Sequence, residues 1–161
     1  MAVDIFLKLN KIKGESVDGK HAGAIDVLQW SWGMTQSGTT HMGPGGGSGK
    51  VNVQDLTVTK YVDMATHELL KACASGLHIA DGELIVRKAG SVPLEYLRIE
   101  MTDIMISSYT TGGSNDGMDR VMETVTMNFA KYKVIYASQK NDGSKGPEGD
   151  AGCDIAKNEA V

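Results

Sequence analysis

The chain has 161 residues, 41% hydrophobic and 22% charged, with a formal net charge of -4. That size suits one ordinary domain, expected to run over residues 1–161, which can bury a core without covalent staples. Two cysteines far apart in sequence, Cys73 and Cys153, exclude a disulfide scaffold, the lack of a basic run excludes a nucleic-acid face, and no apolar stretch is long enough for membrane insertion as a helix.

The N-terminal segment alternates Val3, Ile5, Leu7 and Leu9 with Asp4, Phe6, Lys8 and Asn10. Period two is a half-buried strand, and it lacks the basic start and continuous apolar stretch of a secretory signal. Gly14-Glu15-Ser16 and Asp18-Gly19-Lys20 are turn material. Residues 24–32 read as a second strand, with Leu28, Trp30 and Trp32 on one face and Ile25, Val27, Gln29 and Ser31 on the other.

From Gly33 to Lys50 the pattern stops. The segment holds seven glycines and Pro44 and has no apolar period, so residues 33–50 are expected to form a long irregular loop, either functional or disordered. Met34, Thr35, Gln36, His41, Met42 and Lys50 give that loop both apolar and hydrogen-bonding contacts suited to another subunit. Strand character returns at Val51-Asn52-Val53 and again at Leu56-Thr57-Val58-Thr59. The change of phase between them predicts a corner near Asp55.

One helix is expected, capped by Asp63 or Thr66, with Leu69, Leu70 and Cys73 as its apolar face and Gly76 as its stop. Strands follow over residues 82–88, 94–107 and 120–136. In the second of these, Leu97, Ile99 and Met101 give way to Ile104 and Ile106; in the third, Val125, Met127 and Phe129 give way to Tyr132, Val134 and Tyr136. Strands that exchange their buried face midway suit a barrel or a sandwich with shared strands. Residues 138–161 read as a polar tail without strand pattern.

Catalytic motifs fail on particular residues. A phosphate loop ending at Gly49-Lys50 would need glycine where Pro44 stands and a hydroxyl where Val51 stands. His67-Glu68 opens like a zinc-protease helix, but Lys71 occupies the place of the second histidine. His21, His41, His67 and His78 lie in four separate segments, so no metal and no cofactor is expected. Ser48 and Ser114 follow glycines without completing a nucleophile elbow. The chain is therefore expected not to be an enzyme.

Several segments, taken in order, resemble the haemolysin-coregulated protein family, the inner-tube subunit of bacterial type VI secretion systems. They are Met1-Ala2-Val3-Asp4-Ile5-Phe6-Leu7-Lys8, Ile25-Asp26-Val27, Trp30-Ser31-Trp32-Gly33, Gly49-Lys50-Val51-Asn52, Cys73-Ala74-Ser75-Gly76, Arg87-Lys88-Ala89-Gly90, Glu95-Tyr96-Leu97, Thr111-Gly112-Gly113-Ser114 and Asn128-Phe129-Ala130. The family pattern closes on Gly-Trp-Asn-Ile, where this chain has Gly152-Cys153-Asp154-Ile155, leaving Cys153 exposed in the expected tail.

The resemblance implies a β-barrel of two packed, mostly antiparallel sheets with one flanking α-helix and the long Gly-rich loop, a hexameric ring, stacked rings forming a tube inside a contractile sheath, and a spike and effector proteins as further partners. It implies synthesis in the bacterial cytoplasm and export without a signal peptide, with no fused effector domain. By strand alternation Gln29 and Ser31 would face the ring lumen and its cargo. A rival reading is a small β-barrel hydrolase or a carbohydrate-binding domain, which would show a monomer and converging polar residues.

Overall fold

The computed structural model describes residues 2–38, 48–90, 92–116 and 119–161. Its strands are β1 (Val3–Leu9), β2 (Ile25–Asp26), β3 (Gln29–Ser31), β4 (Met34–Gly38), β5 (Ser48–Val53) and β6 (Leu56–Tyr61). After helix α1 (Thr66–Ser75) come β7 (His78–Lys88), β8 (Leu94–Gly112), β9 (Met122–Gln139), β10 (Lys145–Asp154) and β11 (Glu159–Ala160). Among the described residues, the strands form one nine-stranded sheet, ordered β11-β10-β9-β8-β7-β1-β2 with β6 and β3 branching from β9, and a two-stranded sheet of β4 and β5. Every pairing is antiparallel.

The long strands exchange faces, as their apolar phase requires. Met101 and Ile104 are both buried, and so are Phe129 and Tyr132. The break is aligned across three strands, because Asp81 pairs with Thr102 and Thr102 with Lys131. Asp103 follows at φ 56°, a left-handed conformation that a short polar side chain tolerates. Gly82 stands at the same corner, where a Cβ would lie 2.7 Å from the Lys8 carbonyl and 2.9 Å from Ile104. The sheet thereby folds over one core that includes Leu7, Ile25, Leu56, Leu84, Ile99, Ile104, Val125 and Met127.

The expected single strand at 24–32 is two strands. β2 pairs with β1, and β3 pairs with β6. Between them the Val27 N–H donates to Ile5 O (3.0 Å) and the Leu28 N–H to Thr59 O (2.8 Å). This segment bridges the two sheet edges where pairing is not continuous. The change of partner also shifts the phase. Ile25 and Val27 are buried, Trp30 and Trp32 are half-buried against the core, and Leu28, assigned above to the tryptophan face, is exposed.

Four further expectations are corrected. The segment 33–50 is not irregular throughout, because Met34–Gly38 and Ser48–Val53 pair as a hairpin, with Met34 opposite Val53 and Gln36 opposite Val51. Its first half lacks an apolar period because β4 covers no core: all of Met34–Gly38 is exposed. The corner near Asp55 is present, between β5 and β6, which lie in different sheets. The polar tail is also structured. Residues 138–139 complete β9, and β10 pairs along it, with Cys153 opposite Tyr132. Main-chain hydrogen bonds hold this strand without an apolar pattern, and Gly152 permits contact where a Cβ would sit 2.7 Å from Tyr132 O. Cys153 is half-buried and packs against the core. Tyr136, assigned above to a buried face, is exposed.

Helix α1 ends at Gly76 in the left-handed conformation, as expected. Its N-cap position is Ala65 without a side-chain cap. Asp63 and Thr66 instead bond reciprocally around that residue: the Asp63 N–H donates to Thr66 Oγ1 (3.0 Å) and the Thr66 N–H to Asp63 O (3.1 Å), while the Ala65 N–H donates to Asp63 Oδ1 (2.9 Å). Leu69 and Ala72 are fully buried, Cys73 is half-buried, and Leu70 is exposed rather than on the apolar face.

Candidate functional site

Strand β3 is short, and alternation decides where its side chains go. Trp30 turns inward, while Gln29 and Ser31 are exposed on the opposite face. Registration carries that face across the neighbouring strands. Gln29 stands opposite Thr59, Thr59 opposite Thr124, and Thr124 opposite Thr110. Ser31 stands opposite Thr57, Thr57 opposite Thr126, and Thr126 opposite Ser108. Directly paired residues of an antiparallel sheet share a face, so Gln29 and Ser31 belong to two four-residue rows of amide and hydroxyl groups.

Sequence reading missed the other six members of these rows. The signal was the Thr-x-Thr spacing at Thr57/Thr59 and Thr124/Thr126, whose meaning depends on which strands become neighbours. A bulge near Ile106 brings both Ser107 and Ser108 to Thr126 Oγ1, at 2.9 and 2.5 Å. Asp55 closes one end of the face, accepting from Ser107 Oγ (2.6 Å) and from Asn128 Nδ2 (3.0 Å).

The residues between the rows and those just beyond them point inward. Lys60 and Glu123 pair directly across β6 and β9 and are buried. Lys60 Nζ donates to Tyr61 O (2.9 Å), to Asp63 Oδ1 (2.9 Å) and to Glu123 Oε1, so each ammonium proton has an acceptor. Glu123 also accepts from Thr66 Oγ1 at 2.8 Å and from the Tyr109 hydroxyl at 2.5 Å. Burial, together with the Glu123 carboxylate, pushes the Tyr109 phenol up to about 12. This network joins the start of α1 to β6, β8 and β9.

The second candidate surface is the β4–β5 hairpin. Met34, Thr35 and Gln36 lie on β4 and Lys50 on β5, all exposed; His41 and Met42 lie outside the described residues. The base of the hairpin is fixed to the large sheet. Trp32 Nε1 donates to Gln54 O (2.9 Å), and the Gln54 N–H donates to Gly33 O (2.9 Å). The Trp32 ring meets Tyr132 edge-on at 4.9 Å and lies 6.3 Å from Phe129. The structure thus separates the two sets of sequence-expected residues, Gln29 and Ser31 on the hydroxyl face and Met34 to Gln36 with Lys50 on the hairpin.

Elsewhere, Phe6, Ala24 and Ile85 form a second small core beneath the turn segment that follows β1. Arg87 stacks on Phe6 at 4.9 Å and donates to Asp4 (2.9 Å) and Asp18 (2.6 and 3.0 Å). His21 is buried and joins Glu95 at 2.5 Å. The Arg87 hydrogen bonds hold the Asp18 carboxyl well below the usual carboxylate range. A carboxylate with a depressed folded-state pKa stabilises the fold above its unfolded value, and that contribution is lost as pH falls toward the folded value. Acid unfolding of Asp18→Asn is therefore expected to be flatter than that of the parent as pH falls from about 4. Urea midpoints measured across that range check it, and parallel curves for the two proteins would refute it.

The comparisons agree with this architecture. Residues 6–136 match the family model of the type VI secretion system effector Hcp. The chain is 56% identical over 146 residues to protein hcp1 of Pseudomonas aeruginosa, covering 90% of each chain. It superposes on the crystal structure of Hcp1 from Salmonella typhimurium with TM-score 0.84 and 41% identity over the whole of both chains. A further type six secretion system protein superposes with TM-score 0.94 at 30% identity, covering 99% of this chain and 100% of that one. The chain belongs to the Hcp family of type VI secretion system effectors.

Proposed function

We propose that the protein is the subunit of a hexameric ring, that its rings stack into the inner tube expelled by the secretion machine, and that the ring lumen carries effector proteins. Gln29 and Ser31 face that lumen. The sheath surrounds the tube and the spike caps it. The subunit is made in the bacterial cytoplasm and leaves through the machine itself.

The observation that best supports this reading, beside family membership, is the hairpin. Five consecutive β4 residues are exposed, although their base is held by an aromatic cluster and two main-chain acceptors. A mounted arm whose β4 strand is exposed along its whole length suits a contact with a ring neighbour or with the next ring. A closed ring needs such a head-to-tail contact between two different surfaces.

Size-exclusion chromatography with light scattering tests the ring. The expected mass is about six times that of the 17.2 kDa chain. The double variant Thr35→Asp/Gln36→Asp should keep its circular dichroism and unfolding midpoint and lose either the ring or the stacked tubes seen by electron microscopy. A monomeric parent overturns the ring. A variant that assembles like the parent removes the hairpin from the assembly.

A further inference from the structure

Strands β8 and β10 each have a long side that no other strand covers among the described residues, and their compositions are opposite. Strand β7 reaches along β8 only to Met105, opposite His78, so Ile106–Gly112 is paired with β9 alone. Strand β10 is paired with β9, while β11 covers only Cys153 and Asp154 on the other side. The Gly152 carbonyl accepts from the Val161 N–H (3.2 Å) on that side. Alternation then turns the main-chain groups of Asp150 and Glu148 to the open side as well. The open stretch of β8 reads Ile106-Ser107-Ser108-Tyr109-Thr110-Thr111-Gly112, with no proline and no Lys, Arg, Asp or Glu. Ile, Tyr and Thr are residues that strands favour. The open stretch of β10 reads Lys145-Gly146-Pro147-Glu148-Gly149-Asp150-Ala151, and every residue in it is of a type depleted in strands. It is a strand only because β9 supplies its hydrogen bonds.

We infer that β10 is a guarded edge, built to refuse a strand from a second copy of the chain, so that copies do not join sideways through it. An open strand side is a template for pairing unless proline, charge or a bulge spoils it. All three are present here. Pro147 has no N–H to give. The register with β9 shifts between Lys145 and Glu148, and a bulge of this kind bends the strand away from a flat edge. The bulge is packed in place, because a Cβ on Gly146 would lie 2.5 Å from Ser138 Oγ and 3.0 Å from Ser138 O. Lys145 and Glu148 pair across it. Charge completes the guard. A second β10 laid antiparallel about Gly149 would set Glu148 opposite Asp150 twice, and a parallel one would set each acid beside its copy; like charges so placed are destabilising. The purpose of the guard follows from the proposed tube, whose rings meet end to end and must slide as separate columns; its evidence does not depend on that reading.

The test removes the guard and leaves the strand. In the variant Pro147→Thr/Glu148→Thr/Asp150→Thr the open side gains an N–H, loses both acids and takes residues that strands favour. Circular dichroism should match the parent. The mass by light scattering should at least about double relative to the parent as concentration rises, as one added pairing requires. Hydrogen exchange at the amides of residues 148 and 150 should slow by about tenfold or more in the associated sample. The single variant Pro147→Thr keeps both charges and should show the same change at higher concentration; it carries the test if the triple variant does not fold. Masses equal to the parent's in every folded variant overturn the inference. Association without slower exchange at residues 148 and 150 also overturns it, because the contact then lies elsewhere. The comparison is between variant and parent, so a parent that is a monomer overturns the ring and leaves this test intact.

Discussion

Lys60→Met is expected to cost about 3–5 kcal/mol of folding stability, because it strands a buried carboxylate. Glu123 would keep the Thr66 and Tyr109 hydroxyls as donors but lose its only cationic partner among the described residues. Methionine fills the lysine stem without supplying a charge. The double variant Lys60→Met/Glu123→Leu removes both charges and should recover most of the loss, since apolar replacement of a whole buried pair is often close to neutral. Recovery should fall short by about 1–2 kcal/mol, because the two hydroxyls then lack their acceptor. Urea unfolding at one fixed protein concentration separates these outcomes, the fixed concentration being needed because assembly adds to apparent stability. A single variant no less stable than the double one would show that the pair is not the element holding α1 to the sheet.

Trp32→Ala should cost about 3 kcal/mol and also abolish assembly. The indole packs on the core and on Tyr132 and Phe129, while its N–H secures the Gln54 carbonyl at the foot of the hairpin. Removing it opens a gap beneath the arm and frees the arm's orientation. Trp32→Phe keeps most of the packing and loses the hydrogen bond. It should cost about 1 kcal/mol and leave assembly weakened rather than absent. Thermal unfolding gives the first quantity and light scattering the second. An alanine variant that assembles at the parent's concentration would separate hairpin position from ring formation.

Much of the architecture was legible because it depends on periodicity. The face exchanges in β8 and β9 were written in the spacings Met101 to Ile104 and Phe129 to Tyr132, and both pairs are buried. Gly76 marked the helix end by the one backbone conformation that favours it. Where main-chain pairing rather than side-chain burial makes the strand, periodicity is silent. Strand β4 and strand β10 cover little or no core, so their residues carry no alternation, and both were read as irregular. The break between β2 and β3 was missed for another reason: Val27 and Leu28 reach different sheet edges, a choice set by strands distant in sequence.

The candidate site divides in the same way. By itself the sequence determined the family, through short motifs in order, and the orientation of Gln29 and Ser31 relative to Trp30, through period two within one strand. Only the tertiary structure decided that Thr57, Thr59, Thr124, Thr126, Ser108 and Thr110 continue that face, because registration between strands is a long-range property fixed by the turns and by the shared core. The tertiary structure also decided that Lys60 and Glu123 are buried. Sequence gives charged residues a strong preference for water, and that preference is overcome only when opposite charges meet across neighbouring strands with their remaining hydrogen bonds supplied, here by Asp63, Thr66 and Tyr109.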